Sequence, residues 1–150
     1  SGGGEGFASL AHGRALARGL LDSHFALDWP DNPDLRWNDQ AKEVPKDIVK
    51  IILNMVMLGR DSLPRGGVIT VSTADLPEGL GVALMCRGQK AQVRDDIQHA
   101  MQPDVAAADI TAQTVQAYFF AQLLADLNVD FEMFSPESDS VQLAAIIGID

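Results

Sequence analysis

Cys86 is the only cysteine in 150 residues. An internal disulfide is therefore impossible, and a cysteine metal cluster is excluded with it. Basic residues are also scarce. Eleven Lys and Arg face 21 Asp and Glu, a net charge of −10. A nucleic-acid surface would need a concentrated basic patch, and the Arg and Lys here are scattered. No apolar run approaches the ~18 residues of a membrane helix, and no signal-peptide pattern opens the chain. No phosphate-cradling glycine loop of P-loop spacing is present, and no internal repeat. A reducing, cytoplasmic setting fits this composition. What remains is 47% apolar and 21% charged, the balance of a globular chain long enough for one core.

The pattern is densest over Pro45–Thr73, which reads as helix, stop and strand. Ile48, Ile51, Ile52, Met55, Val56 and Gly59 share one helical face. Pro64 ends the helix, Gly66-Gly67 allows a sharp reversal, and the β-formers Val68 to Thr73 follow. Upstream, residues 1–6 (SGGGEG) read as a flexible loop, and residues 7–150 as a single domain. An amphipathic helix is expected over Phe7–Leu21, then a strand through Phe25, Leu27 and Trp29. Leu35 and Trp37 are expected to anchor the polar stretch that follows.

Downstream, the turn Leu76-Pro77-Glu78-Gly79 predicts an antiparallel hairpin of Val68–Thr73 with Val82–Cys86. A short helix over Val93–Met101 stops before Pro103. A longer helix, capped by Asp109 or Thr111, runs to Leu127 with Val115, Tyr118, Phe119, Leu123 and Leu127 inward. Asn128 suits a left-handed cap, and Val129–Phe134 and Val141–Ile147 form a final hairpin. Helices and strands mix without strict alternation. The expected class is α+β, a two-layer α/β sandwich of one mostly antiparallel sheet with helices on one face.

Few residues suggest chemistry. His12 lies on a helix with Arg14 and Arg18 close in sequence, cations that could offset a phosphoryl charge. A solvent-facing helix residue is the plainer reading. His24 reads as structural. His99 with Asp95 and Asp96 reads as an ordinary acidic helix face rather than a metal site. Cys86, at the end of an inner strand, reads as a small buried hydrophobe.

The central stretch resembles the ATP-binding domain of sensor histidine kinases, the Bergerat fold. The matching run is Asn54-Met55-Val56-Met57-Leu58-Gly59-Arg60-Asp61, then Pro64-Arg65-Gly66-Gly67 and a strand. The resemblance implies a magnesium-ligating asparagine where this chain has Leu58, a side chain without oxygen. It implies an adenine-reading Asp in a D-x-G-x-G box where this chain reads Cys86-Arg87-Gly88-Gln89-Lys90. The glycine-rich third box would fall on residues 109–117, which hold no glycine. Asn54, Leu58, Asp61, Cys86 and Gly88 are thus expected to be remnants of a nucleotide site, with no cofactor and no metal of the chain's own.

In this degenerate form the chain resembles the ChpT-type histidine phosphotransferases of alphaproteobacterial phosphorelays. The shared pieces are SGGGEGF, ALARGLL, ALDWP, VKIILNMVMLGRDSLPRGG and VQAYFFAQLLADLNVDFEM. That family implies phosphoryl relay between receiver domains of response regulators, with Mg²⁺ supplied by the receiver. It implies a homodimer, built on a helical hairpin that carries the phosphohistidine and that this chain lacks. No membrane or nucleic acid is implied as partner. On that reading the chain holds no catalytic residue, His12 being the alternative. An ATP-binding kinase-like domain and an interaction module without phosphate chemistry are the other readings.

Overall fold

The computed structural model describes residues 7–36 and 43–148. The expected loop over residues 1–6 and the expected anchor Trp37 lie outside them. A five-stranded sheet organises the fold. Its strands are β2 (Phe25–Asp28), β4 (Gly67–Leu76), β5 (Gly79–Arg87), β6 (Asp130–Phe134) and β7 (Ser140–Ile147), in the order β2-β4-β5-β7-β6. β2 runs parallel to β4, and every other pairing is antiparallel. A two-stranded ribbon joins β1 (Phe7–Ala8) to β3 (Val44–Pro45). The α+β sandwich expected from the pattern is the fold observed.

The inner row of the sheet is apolar because strand side chains alternate. Ile69 and Val71, Leu80, Val82, Leu84 and Cys86, and Val141, Leu143 and Ala145 are all buried. Helix α2 (Lys46–Asp61) lies across this row, contacting β4, β5 and β7. Its predicted face is buried in full, with Val49 and Leu58 added. Fully burying one such side chain stabilises by about 1.5–3 kcal/mol. Pro45 stands just outside α2 as its N-cap and is itself the last residue of β3. At the other end the Ser62 hydroxyl donates to the Gly59 carbonyl at 2.7 Å, which holds the last turn. Gly66 then turns at φ 76°, where an added Cβ would lie 2.2 Å from the His24 carbonyl oxygen. That contact seats β2 beside β4.

Three expectations shift. Helix α1 spans Leu10–Gly19, not Phe7–Leu21. Phe7 and Ala8 pair with β3 instead, and Ser9 caps the helix by accepting from the His12 backbone N–H at 3.0 Å. The buried face of α1 is Leu10, Gly13 and Ala17, and Leu16 is exposed. Gly13 serves the close approach to α2, since a Cβ there would sit 3.1 Å from Val49 Cγ1. Trp29 is buried but lies one residue beyond β2.

The third shift concerns α4 (Val115–Asp126), which follows α3 (Asp95–Ala100) and a 3₁₀ turn at Ala107–Asp109. Its buried residues are Ala117, Phe120 and Leu124, one step round from the predicted face, and Phe119 is 61% exposed. The helix is apolar on nearly every side, so periodicity could not choose a face. Thr114, rather than Asp109 or Thr111, is the N-cap residue. Its hydroxyl accepts from the Thr111 backbone N–H at 2.9 Å, closing a compact turn before the helix. Asn128 adopts φ 55°, as expected, and closes α4. Its N–H donates to the Ala125 carbonyl, and the Val129 N–H donates to Leu124. That is the paired ending of a Schellman motif. Phe120 stacks edge-on against Phe131 of β6 at 5.4 Å, fixing α4 over the sheet.

Candidate functional site

Helix α2 sets Asn54, Leu58 and Asp61 along one side, at i, i+4 and i+7. They meet three different environments. The Asn54 amide donates to the Lys50 carbonyl at 2.8 Å, and its oxygen accepts from Gln116 of α4 at 3.5 Å. Leu58 is 6% exposed and belongs to the hydrophobic core. Asp61 is half-exposed and accepts from Arg60 Nε at 3.5 Å. Arg60 also donates to the Leu20 carbonyl at 3.2 Å, tying the ends of α1 and α2 together.

Cys86 approaches α2 from β5. A Cβ on Gly59 would lie 2.8 Å from its Sγ, so the glycine makes room for the thiol. Burial pushes the thiol from its ordinary 9.0 up to about 12, against a smaller lowering by a hydrogen bond with Ser62. At neutral pH such a thiol stays protonated, whereas a nucleophilic cysteine needs its thiolate. Gly88 follows at the strand end. A Cβ there would stand 2.2 Å from the Gly66 carbonyl oxygen, so only glycine lets the two backbones meet. The Gly88 N–H donates to the Asp139 carbonyl at 3.0 Å, and the Lys90 N–H to the Asp139 carboxylate at 3.1 Å. The segment after β5 is thereby fastened to the β6–β7 hairpin.

The five residues singled out in the sequence therefore stand in separate surroundings. Leu58 and Cys86 are sealed in the core, Gly88 serves a backbone contact, and Asn54 and Asp61 are engaged within α2 or with α4. Mg²⁺ takes oxygen ligands. A leucine and a buried thiol at the two decisive positions do not fit a magnesium nucleotide. Residues 109–117 offer no flexible glycine loop either; Asp109 accepts from or pairs with His99 Nε2 at 3.0 Å, and Thr111 is bonded to Thr114.

The histidines are dispersed. His12 is exposed on α1. Arg14 does not flank it, because a step of two residues is about 200° around a helix. Its guanidinium lies over the Trp29 ring, 5.3 Å from the centroid. Proximity in sequence was therefore no guide to a cationic frame. His24 folds back on Asp22, whose carboxylate accepts from the His24 backbone N–H at 2.8 Å and contacts Nδ1 at 3.0 Å. Those bonds hold the Asp22 carboxyl below its usual range, the backbone bond most. His99 pairs with Asp109 while Asp96 holds Arg94, so the Asp95, Asp96 and His99 trio does not converge. Among the described residues no group of three His, Cys, Asp or Glu could hold a metal ion. No helix among them is long and apolar enough to cross a membrane.

Two features escaped the sequence reading. Ser62, a partner of Cys86, is buried at the end of α2. Phe119 stands out from α4 beside a groove of about 450 Å³ that Asn54, Gln116 and Leu123 also line. The available signal was the absence of any charged residue from Ile110 to Ala125.

Residues 13–139 match the histidine phosphotransferase C-terminal domain. The chain belongs to that family. A relative in this family setting is the protein phosphotransferase ChpT of Brucella abortus (strain 2308), 24% identical over 142 residues. The match takes in 90% of this chain and 68% of the relative. Among solved structures, a bacterial phosphotransferase superposes with a TM-score of 0.74 at 17% identity. That likeness covers 93% of this chain and 64% of the other, so the chain spans about two thirds of both proteins. The catalytic domain of histidine kinase ThkA superposes with a TM-score of 0.64 at 12% identity, covering 95% of each chain. This histidine phosphotransferase domain thus shares the fold of kinase catalytic domains, with Leu58 and Cys86 buried inside it.

Proposed function

We propose that this domain supports phosphoryl relay between receiver domains of response regulators and does not itself bind ATP. The phosphoryl-carrying histidine belongs, on this reading, to the helical hairpin of a dimeric cytoplasmic parent protein. Its imidazole nitrogen attacks the acyl phosphate of one receiver, forming an N–P bond as the aspartyl O–P bond breaks. The reverse step delivers the phosphoryl group to a second receiver aspartate, with Mg²⁺ held by the receiver. The domain's part is to seat the receivers beside that histidine.

The observation that carries the reading is Leu58. The side chain at the magnesium-ligand position has no oxygen and lies in the core, on the helix that organises the sheet. Isothermal titration of the chain with Mg-ATP is expected to release no binding heat, and a micromolar dissociation constant overturns the proposal. Incubation with a phosphorylated receiver is expected to leave no acid-labile label on the chain alone. Label that His12→Ala abolishes would instead make His12 the acceptor.

A further inference from the structure

The whole negative balance of this protein lies in its last 56 residues. Residues 95–150 contain ten Asp and Glu and no Lys or Arg, while residues 1–94 carry eleven of each sign. The segment folds as α3, α4, β6 and β7, one side of the molecule. At its centre stands α4, whose outward face carries Gln116, Phe119, Gln122 and Asp126 and whose flank of Tyr118, Ala121 and Ala125 is only partly covered.

The uncovered flank is a trough. Between α3 and α4 runs a groove of about 490 Å³, floored by Met101, Val105, Tyr118, Ala121 and Ala125. A second groove of about 360 Å³ shares Met101, Gln102, Ala121 and Ala125 with it and continues to β6. The charged residues lining the two are Asp126 and Glu132. Asp104 lies between the lining residues Pro103 and Val105. The Tyr118 hydroxyl is held by Gln122 Nε2 at 2.6 Å, which fixes the aromatic wall. The lining mixes these apolar side chains with the amides of Gln98, Gln102 and Gln122, and every formal charge on it is negative.

We propose that the α3–α4 trough is a docking surface for an amphipathic helix of a partner protein, its apolar face inward and flanked by Lys or Arg. Charge decides between occupants. A second copy of the chain seated on the same face would bring carboxylates against carboxylates, which complementarity forbids. A basic helix gains both the apolar burial and the steering of the acidic field. The inference does not need the chain to relay phosphoryl groups.

The test uses an 18-residue helical peptide with Leu at i, i+3, i+4 and i+7 and Lys elsewhere, and a scrambled peptide of the same composition. Amide shift perturbations on the intact chain are expected at residues 98–105 and 118–126. Ala125 is exposed, so Ala125→Arg should leave the fold intact and weaken binding at least tenfold; Asp126→Lys should weaken it as well. Ala74→Arg, the same charge change on an exposed residue of β4, should leave it unchanged. Equal binding of the scrambled peptide, perturbations elsewhere, or undiminished binding by both trough variants overturns the proposal. So does a dimer in sedimentation that Ala125→Arg dissolves.

Discussion

Leu58 and Cys86 reach the core from different elements, a helix and a strand, and neither tolerates a polar replacement cheaply. Leu58→Asn would restore the oxygen that the kinase pattern implies, but it would bury an amide among aliphatic side chains. The expected cost is about 2–4 kcal/mol of stability, read from the urea midpoint, with no gain of Mg-ATP binding by calorimetry. Cys86 gives a pH prediction. Its thiol holds its proton up to about 12 in the folded protein, against an ordinary value of 9.0. Between those limits the unfolded chain binds fewer protons than the folded one, so stability falls as pH rises. Urea midpoints should therefore decline above about pH 9 more steeply for the native chain than for Cys86→Ala. Parallel slopes would mean that the thiol is not the group responsible. The chemical nature of these two residues was legible in the sequence. Their setting was not, because the Cys86–Ser62 bond and the Gly59 gap join residues that only folding brings together. Gly88 is similar: it looks like the one surviving glycine of a nucleotide motif, and its geometry is that of a backbone contact with Gly66.

At the scale of elements, legibility followed the contrast between faces. α2 has a clean apolar stripe, and its buried face came directly from the spacing. α4 lacks that contrast, and its face was read one step off. α1 began late because Ser9, an N-cap signal, competed with the apolar Phe7 for the start of the pattern. The end of α4 was readable because a single residue sets it. Asn128 at φ 55° occupies the left-handed region that asparagine tolerates and branched residues do not. Asn128→Val is expected to destabilise by about 1–2 kcal/mol, and Asn128→Gly to be close to neutral. Chemical unfolding of the two variants measures both. Equal losses would show that the amide side chain, not the backbone conformation, is what the cap uses.

For the molecule as a whole, the two hairpins β4–β5 and β6–β7 are local and were visible in the turn residues. The order that joins them was not. β7 lies between β5 and β6, and β2 returns parallel to β4 through α2; both pairings join strands distant in sequence and align their apolar rows rather than following from any turn. Charge is also a property of the whole. With net −10 concentrated after Arg94, the α3–α4–β6–β7 side repels itself, and salt should relieve it. Raising NaCl from about 10 mM to about 300 mM shortens the screening length several-fold. The melting temperature at pH 7 is expected to rise by a few degrees over that range, tracked by circular dichroism. Asp126→Asn with Asp130→Asn, both exposed positions on that side, should raise the low-salt melting temperature and shrink the salt increment. A melting temperature indifferent to salt would mean that the carboxylates are too well hydrated to repel. The attraction of this face for a basic helix would then have to rest on the apolar side chains of its trough alone.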